Sequence, residues 1–113
     1  MILTKRKPIS VGEMLTEEFM VPMNVDQGQL AKALGVSRKT VNELCNNKTS
    51  VTADTALMLG KVFGNSAEFW LNLQKRNDLW NATHSKKSLA RINKARPITP
   101  VGKQGAPLEA MNN

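Results

Sequence analysis

The sequence predicts an all-α protein in which one domain of five helices is followed by a basic C-terminal tail. Ser, Thr or Asp stands at the start of each predicted helix as a side-chain cap, and apolar residues recur at helical spacing from about residue 10 to residue 84. Tyr is absent and aromatic residues make up 4% of the chain, which is low for a β-sandwich. A length of 113 residues fits a single domain.

The first predicted helix begins at a capping box. In Ser10-Val-Gly-Glu13, the Ser hydroxyl can accept from the Glu backbone N–H while the Glu side chain accepts from the Ser N–H. Pro22 disfavours a regular helix before it, so we expect this helix to end near Met20. The apolar face of the helix comprises Val11, Met14, Leu15 and Phe19.

The next two predicted helices are short and lie close together in the chain. Asp26-Gln-Gly-Gln29 repeats the capping-box pattern, and Gly35 suits the left-handed position that ends a helix. Ser37 then caps a third helix over residues 37–47, which ends in the polar run Asn46-Asn47-Lys48. The inward residues are Leu30, Ala31 and Leu34 on the second helix, and Val41, Leu44 and Cys45 on the third.

Two longer helices complete the predicted domain, which spans residues 10–84. Thr52 caps the fourth helix, which Gly64 closes, and Ser66 caps the fifth, from Ala67 to about Asn81. Their apolar residues are Ala56, Leu57, Leu59 and either Phe63 or Val62 on the fourth helix, and Phe69, Trp70, Leu73 and Trp80 on the fifth.

The two ends of the chain have a different composition. Residues 1–9 form a predicted basic arm, and residues 85–113 form a basic tail that we expect to be partly disordered. Within the tail, Leu89 and Ile92 have the spacing of a short docking helix, whereas Pro97 and Pro100 break any helix.

The segment from Gln27 to Asn46 carries the functional signal. Two short helices are joined by Gly35-Val-Ser37, and the small Ala31 stands where the second helix must pass close to the first. This pattern predicts a helix-turn-helix, in which the second helix enters the major groove of DNA and the first crosses the backbone. A plain helical hairpin inside a bundle is the alternative.

The outward face of the third helix has side chains that can read DNA. Arg and Lys donate to guanine O6 and N7, Asn pairs with adenine, and Glu accepts from cytosine. Because recognition helices read bases mainly from their N-terminal residues, Arg38 and Lys39 are the foremost candidates. Glu43 could equally be a solvated side chain that repels phosphate. The predicted base contacts are Arg38, Lys39, Asn42 and Glu43, and the predicted phosphate contacts are Gln27, Thr40, Asn46 and Lys48.

The distribution of charge is uneven along the chain. The formal net charge is +7, yet residues 9–84 hold seven basic and eight acidic side chains, a net charge of −1. The excess positive charge therefore lies in the arm and the tail. Basic ends either contact a polyanion or only keep the protein in solution. The near-neutral domain also leaves open a protein-binding module whose DNA binding is vestigial.

Catalysis, cofactors and membranes fit this sequence poorly. A single His, His84, and a single Cys, Cys45, cannot form a metal set or a Cys–His pair within one chain, and we find no Gly-rich phosphate loop. We therefore expect no enzyme activity and no cofactor. No apolar run approaches the roughly 20 residues of a membrane helix. The expected location is the cytoplasm, on the nucleoid.

The fifth helix has more large apolar side chains than one face of a small helix needs. Either all of them fill the core of the protomer, or some contact a second copy in a two-fold dimer. A dimer would place two recognition helices about 34 Å apart, which matches a palindromic operator. The candidate dimer contacts are Phe69, Trp70, Leu73 and Trp80.

From Lys5 to Trp80 the chain resembles the HigA-type antitoxins, a branch of the phage-repressor-like helix-turn-helix family. The helix-turn-helix stretch is common to very many repressors, whereas its combination with the opening and with the fifth helix is much more specific. The matching stretches are RKPISVGEMLTEEF (6–19), LAKALGVSR (30–38), VNEL (41–44), TADTAL (52–57), FWLNLQ (69–74) and DLW (78–80).

The resemblance implies a five-helix, homodimeric repressor of its own operon. It also implies a toxin partner, typically a ribosome-dependent messenger ribonuclease, which the antitoxin neutralises by binding. The DNA-facing positions of the family correspond to Gln27, Arg38, Lys39, Asn42 and Glu43. The basic tail is longer than the shared core. Because some relatives have no toxin partner, an orphan helix-turn-helix regulator stays open.

Overall fold

The computed structural model describes residues 6–98, and all regular structure in this range is helical. The first helix, α1, has three consecutive parts: an α-helical turn Val11–Glu13, a π-helical segment Met14–Met20 and an α-helical turn Val21–Met23. The all-α prediction is therefore confirmed. The remaining helices are α2 (Gln27–Leu34), α3 (Arg38–Cys45), α4 (Ala53–Phe63), α5 (Ala67–Thr83) and α6 (Lys86–Lys94).

The domain has the five predicted helices, α1 to α5, and the described part of the tail adds a sixth. Residues 86–94 of the tail form α6, because Ser85 caps its first turn by accepting from the Ser88 backbone N–H at 3.2 Å. The chain divides into two compact units, residues 1–82 and 83–113. The first unit holds α1 to α4 and nearly all of α5. The described part of the second unit holds α6.

The predicted side-chain caps begin the helices of the first unit. Both capping boxes are present, since Ser10 with Glu13 and Asp26 with Gln29 exchange side-chain and backbone hydrogen bonds. Because each cap satisfies backbone N–H groups that have no partner inside the helix, it fixes the residue at which the helix starts. The other predicted caps also accept from the backbone N–H three residues later, namely Ser37, Thr52 and Ser66.

Four helices end at a residue in the left-handed conformation. Gly35 has φ 75° and Gly64 has φ 73°, as expected for glycine at the end of α2 and α4. Asn24 and Asn47 take the same role after α1 and α3, with φ 55° and 56°. In each case the following N–H returns to a carbonyl five residues earlier, which satisfies the open end of the helix.

Pro22 does not end α1 at Met20, and this prediction is wrong. The helix continues through Met23 because the segment before the proline is π-helical, so that the Val21 N–H bonds to the carbonyl of Thr16, five residues earlier. This wider turn replaces the i→i−4 ladder whose carbonyl the proline ring would otherwise meet. The helix therefore ends at Asn24.

The core of the first unit collects side chains from α1 to α5. Its largest fully buried residues are Leu15, Leu30, Val41, Leu59 and Trp70. Three Phe rings surround Trp70, with the centroid of Phe19 at 5.2 Å, of Phe63 at 6.0 Å and of Phe69 at 5.1 Å. Most of the predicted apolar faces therefore meet in one core.

Leu57 is an exception to the predicted faces. It is 62% exposed on α4, because the buried face of that helix is formed by Ala56, Leu59 and Gly60 and Leu57 points away from this face. Within residues 6–98, none of the helices is long and apolar enough to cross a membrane.

Side-chain amides of α5 hold segments that are distant in the chain. Asn77 is buried and donates at 2.8 Å to the carbonyl of Ile9, just before α1. Gln74 accepts at 2.9 Å from the Val51 N–H in the loop that follows α3. Both contacts fix chain segments that adjoin the ends of α1 and α3, so α5 helps to position these helices.

Candidate nucleic-acid interface

Helices α2 and α3 form a helix-turn-helix. The Gly35 and Val36 backbone N–H groups both bond to the Ala31 carbonyl, at 2.9 and 3.0 Å, which reverses the chain after α2. The inner face of α3 packs into the core, since Val41 is completely buried and Leu44 is only 2% exposed. Two buried side chains three residues apart fix the rotation of a short helix, so the opposite face of α3 is held outward.

The first turn of α3 has its cations at the surface. Arg38 and Lys39 are both exposed and follow the Ser37 cap directly. The Ser37 hydroxyl accepts from the Thr40 N–H at 3.1 Å, and the two hydroxyl oxygens lie 2.9 Å apart. Thr40 is therefore tied into the cap, half-buried, at the positive end of the helix dipole, where an anion is favoured.

A direct hydrogen bond connects a predicted base contact with a predicted phosphate contact. The Asn42 amide on α3 donates to the Gln27 side-chain oxygen on α2 at 3.3 Å. Gln27 stands at the first residue of α2 and is half-buried, whereas Asn42 is exposed. The two helices of the motif are therefore coupled by a side-chain hydrogen bond at the surface.

The last turn of α3 holds the remaining predicted site residues. Asn46 is exposed, and its amide donates to the carbonyl of Asn42 at 2.8 Å. Glu43 is half-buried, and its carbonyl accepts the Lys48 backbone N–H at 2.8 Å, while Lys48 itself is exposed. All eight predicted DNA contacts thus lie on α3, at the first residue of α2 or in the segment that directly follows α3. The role of each stays a prediction.

A clamp between α1 and the end of α3 was missing from the sequence analysis. The Asn47 side-chain oxygen accepts from the Gly12 N–H at 2.9 Å, and its amide donates to the Ser10 hydroxyl at 3.0 Å. We call these three residues the α1–α3 clamp. The sequence signal for the clamp was Asn47 itself, since Asn tolerates the left-handed conformation after a helix. Its partners could not be inferred, because they lie 35 and 37 residues away in the sequence.

Gly12 allows the two helices of the clamp to approach closely. A Cβ atom at this position would overlap the Cys45 carbonyl oxygen and lie 2.8 Å from the carbonyl carbon, both of them backbone atoms of α3. Backbone cannot move aside as the end of a long side chain can. Gly12 therefore sets the distance at which α3 is held against the domain.

The basic ends are described only in part. Arg6 and Lys7 are exposed, and the Lys7 ammonium lies 6.0 Å from the centre of the Trp80 ring, a cation–π distance. Residues 1–5 of the predicted arm and residues 99–113 of the predicted tail lie outside the described residues. Among residues 6–98, no group of three or more His, Cys, Asp or Glu side chains is arranged to hold a metal ion.

The candidate dimer contacts divide into two groups. Trp70 is completely buried and Leu73 is 4% exposed, so both side chains fill the core of the protomer and have no surface left for a second copy. Phe69 and Trp80 are half-buried. The exposed apolar residue on α5 is Leu79, which is 40% exposed.

Comparison with known proteins places this fold in a family. The Helix-turn-helix family model matches residues 17–70, which include α2, α3 and α4. Antitoxin HigA-1 of Vibrio cholerae is 50% identical over 78 residues, which are 69% of this chain and 73% of that protein. The chain belongs to the HigA-type antitoxins. The resemblance that the sequence motifs carry is therefore confirmed.

Two further proteins similar to this HigA-type antitoxin are a helix-turn-helix regulator and a solved antitoxin. An uncharacterized HTH-type transcriptional regulator of Haemophilus influenzae is 46% identical over 93 residues, which are 80% of this chain and 87% of the relative. The solved structure of Pseudomonas aeruginosa antitoxin HigA with the higBA promoter has a TM-score of 0.70 and 37% identity, and the match covers 80% of this chain and 98% of that one. That protein is similar in fold and was solved with DNA.

Proposed function

We propose that this HigA-type antitoxin is a sequence-specific repressor that binds the operator of its own operon through α3. Arg38 and Lys39 read bases, and Asn42 and Glu43 complete the reading face. Gln27, Thr40, Asn46 and Lys48 hold the phosphates that flank it. The protein acts without a cofactor and without catalysis, on nucleoid DNA in the cytoplasm.

The observation that carries the proposal is the fixed outward face of α3. Arg38, Lys39 and Asn42 are exposed on a helix that Val41 and Leu44 lock from the inside. A base-reading side chain must be held near its productive position, since hydrogen bonds to base edges are directional. The Gln27–Asn42 bond adds support, because a contact to phosphate sets the register in which α3 meets the bases.

The test is a fluorescence anisotropy titration against the DNA upstream of the gene and against a scrambled duplex. Arg38→Ala/Lys39→Ala is expected to lower the ratio of the two affinities by a factor of roughly thirty or more, because it removes two base contacts and each contributes about 1–3 kcal/mol of discrimination. The matched control, Lys32→Ala/Lys61→Ala, removes the same charge from exposed positions on α2 and α4. An affinity ratio near one for the wild-type protein would remove the proposal.

We also propose that the protein binds as a homodimer to a palindromic site. Leu71 and Leu79 line a shallow apolar groove on the outer side of α5, and the half-buried Phe69 and Trp80 complete the apolar surface of this helix. Sedimentation equilibrium should give twice the protomer mass of 12.5 kDa. Leu79→Lys is expected to shift the equilibrium toward the monomer, and a monomeric wild type at micromolar concentration would contradict the dimer.

The toxin partner is a further part of the proposal. Helix α1 presents Glu17 and Glu18 at the surface, beside Val21, which is 68% exposed, and Met23, which is 54% exposed. Acidic groups around an apolar patch complement a basic ribonuclease, since RNA-binding surfaces are positively charged. We therefore propose that a ribonuclease toxin binds this side of α1 and is neutralised there.

The product of the gene next to the antitoxin gene is the protein to test as the toxin. In a binding titration, Glu17→Lys/Glu18→Lys is expected to lower the affinity of the antitoxin for that product at least roughly tenfold, because charge repulsion replaces attraction. The unfolding midpoint of this variant and its ratio of operator to scrambled-duplex affinity should stay at wild-type values. Undiminished capture would exclude this surface, and a toxin-free locus would favour the orphan regulator.

A further inference from the structure

The tail helix α6 has a cationic stripe on one side. Lys87, Arg91 and Lys94 are spaced four and three residues apart, so they share one face, and all three are exposed. Leu89 and Ile92 lie on the opposite face of the helix. The stripe is therefore a continuous row of positive charge, which we call the α6 stripe.

The surroundings of the α6 stripe hold no compensating acid in the sequence. Asp78 and Glu109 bound a stretch of thirty residues, 79–108, that is free of Asp and Glu. The Arg96 guanidinium adds a further cation and donates to the carbonyl of Asn93 at 3.0 Å, at the end of the helix. This segment therefore has no acidic residue of its own to neutralise its cations.

Repulsion between its own positive charges destabilises α6 when no anion is bound. Like charges four residues apart, as in Lys87 and Arg91, destabilise a helix by roughly 0.2–0.5 kcal/mol per pair. Lys86 and Lys87 also stand in the first turn, where the helix dipole disfavours cations. A helix of 9 residues with no buried side chain has little packing to offset these terms. A bound polyanion would remove the repulsion.

We propose that the α6 stripe binds the phosphate backbone of duplex DNA and adds affinity without reading sequence. The proposal rests on the proposed function, in which α3 brings the protein to DNA. At a rise of about 1.5 Å per residue, the seven-residue step from Lys87 to Lys94 covers about 10 Å, which equals the rise of about three base pairs along the duplex axis.

The charge of the domain explains why such an element is useful. Residues 9–84 have a net charge of −1, so the domain as a whole gives little long-range attraction to DNA. Phosphate contacts supply essentially all nonspecific affinity and guide a protein to its site. In this proposal the α6 stripe supplies nonspecific affinity for DNA, and α3 supplies discrimination between sequences. The two roles are independent of each other.

The test compares full-length variants in salt-dependent anisotropy titrations. Lys87→Gln/Arg91→Gln/Lys94→Gln removes the stripe and keeps a good helix former at each position. The matched control, Lys32→Gln/Lys61→Gln/Arg76→Gln, removes three exposed cations from α2, α4 and α5. Both variants lose the same net charge, so any difference between them belongs to the location of the charges.

The stripe variant is expected to reduce the slope of log affinity against log salt by about 0.9 per lost contact, and by about 2.7 if all three side chains contact phosphate. Affinities for operator and scrambled duplexes should fall by the same factor, roughly tenfold or more at about 0.1 M salt. A slope equal to that of the matched control overturns the proposal, as does a fall confined to the operator.

The same titrations separate this proposal from the proposed function. An operator-to-scrambled ratio near one for the wild-type protein removes the reading role of α3, yet the slopes still report on α6. A clear operator preference with an unchanged slope removes only the α6 stripe. A parallel titration uses single-stranded RNA. If the stripe variant loses affinity for this RNA while its binding to duplex DNA is unchanged, the proposal is overturned, since RNA would then be the ligand.

Discussion

Helices α3 and α6 are similar in length and both present cations, but they are held in different ways. Helix α3 has 8 residues, is capped by the Ser37 side chain at its start and by the Asn46 amide at its end, and has two buried side chains, Val41 and Leu44. Helix α6 has 9 residues and no buried side chain. Reading bases requires a helix in a fixed orientation, whereas attraction to phosphate requires only positive charge near the DNA backbone.

The largest expected effect tests the anchoring itself. Leu44→Ala should destabilise the domain by about 3–4 kcal/mol, since it opens a cavity under α3. Ile92→Ala on α6, at a position that is 48% exposed, should change the free energy of unfolding by less than about 0.5 kcal/mol, as for a surface position. Urea denaturation followed by Trp fluorescence measures both, and equal losses would erase the contrast between the helices.

Gly12→Ala is expected to have the next largest effect. The new methyl group meets the backbone of Cys45, so the domain should lose about 2–3 kcal/mol, as in other overpacked sites. Gly28→Ala is the matched control on α2, because its Cβ would make an ordinary contact, 3.4 Å from the Asp26 side chain. That variant should be neutral or slightly stabilising in thermal unfolding. A tolerated Gly12→Ala would show that α1 and α3 can separate.

The polar part of the α1–α3 clamp should follow. Asn47→Ala loses two hydrogen bonds and places Ala in a left-handed conformation, with an expected cost of about 2 kcal/mol. Asn47→Gly loses the same hydrogen bonds but fits the backbone, so it should cost about 1 kcal/mol less. If the two variants unfold at the same urea concentration, the left-handed backbone contributes nothing at this site.

The smallest effect concerns the two N-caps. Ser37→Ala should lower the stability of the domain by about 1 kcal/mol and weaken operator binding, because the first turn of α3 frays. Ser85→Ala should leave the unfolding midpoint unchanged and increase amide exchange only within residues 86–94. A midpoint shift for Ser85→Ala as large as that for Ser37→Ala would mean that α6 is part of the cooperative domain.

Local signals predicted most of the fold. The caps at Ser10, Asp26, Ser37 and Thr52 act within three residues, and Gly35 and Gly64 end helices by their own backbone preference. For this reason the start of α3 and its outward residues could be placed from the sequence. A preference that is satisfied within one turn does not depend on the rest of the structure.

Contacts between distant segments were not predictable in the same way. The bond from Asn77 to Ile9 spans 68 residues and the bond from Asn47 to Gly12 spans 35, so no local pattern indicates either. The extension of α1 past Met20 depends on a π-helical turn, which the rule for Pro22 does not include. Trp70 and Leu73 are core residues because three Phe rings and the core of α1 to α4 reach them, which helical spacing on α5 alone does not show.

The most direct test of the central claim is dimethyl sulfate footprinting of the operator. Guanine N7 lies in the major groove, so a base-reading α3 protects specific guanines from methylation. We expect protection in two half-sites about 10 base pairs apart, and loss of this protection with Arg38→Ala. Tight binding to the operator without any N7 protection, or protection that persists in Arg38→Ala/Lys39→Ala, would contradict the assignment of α3 to the major groove.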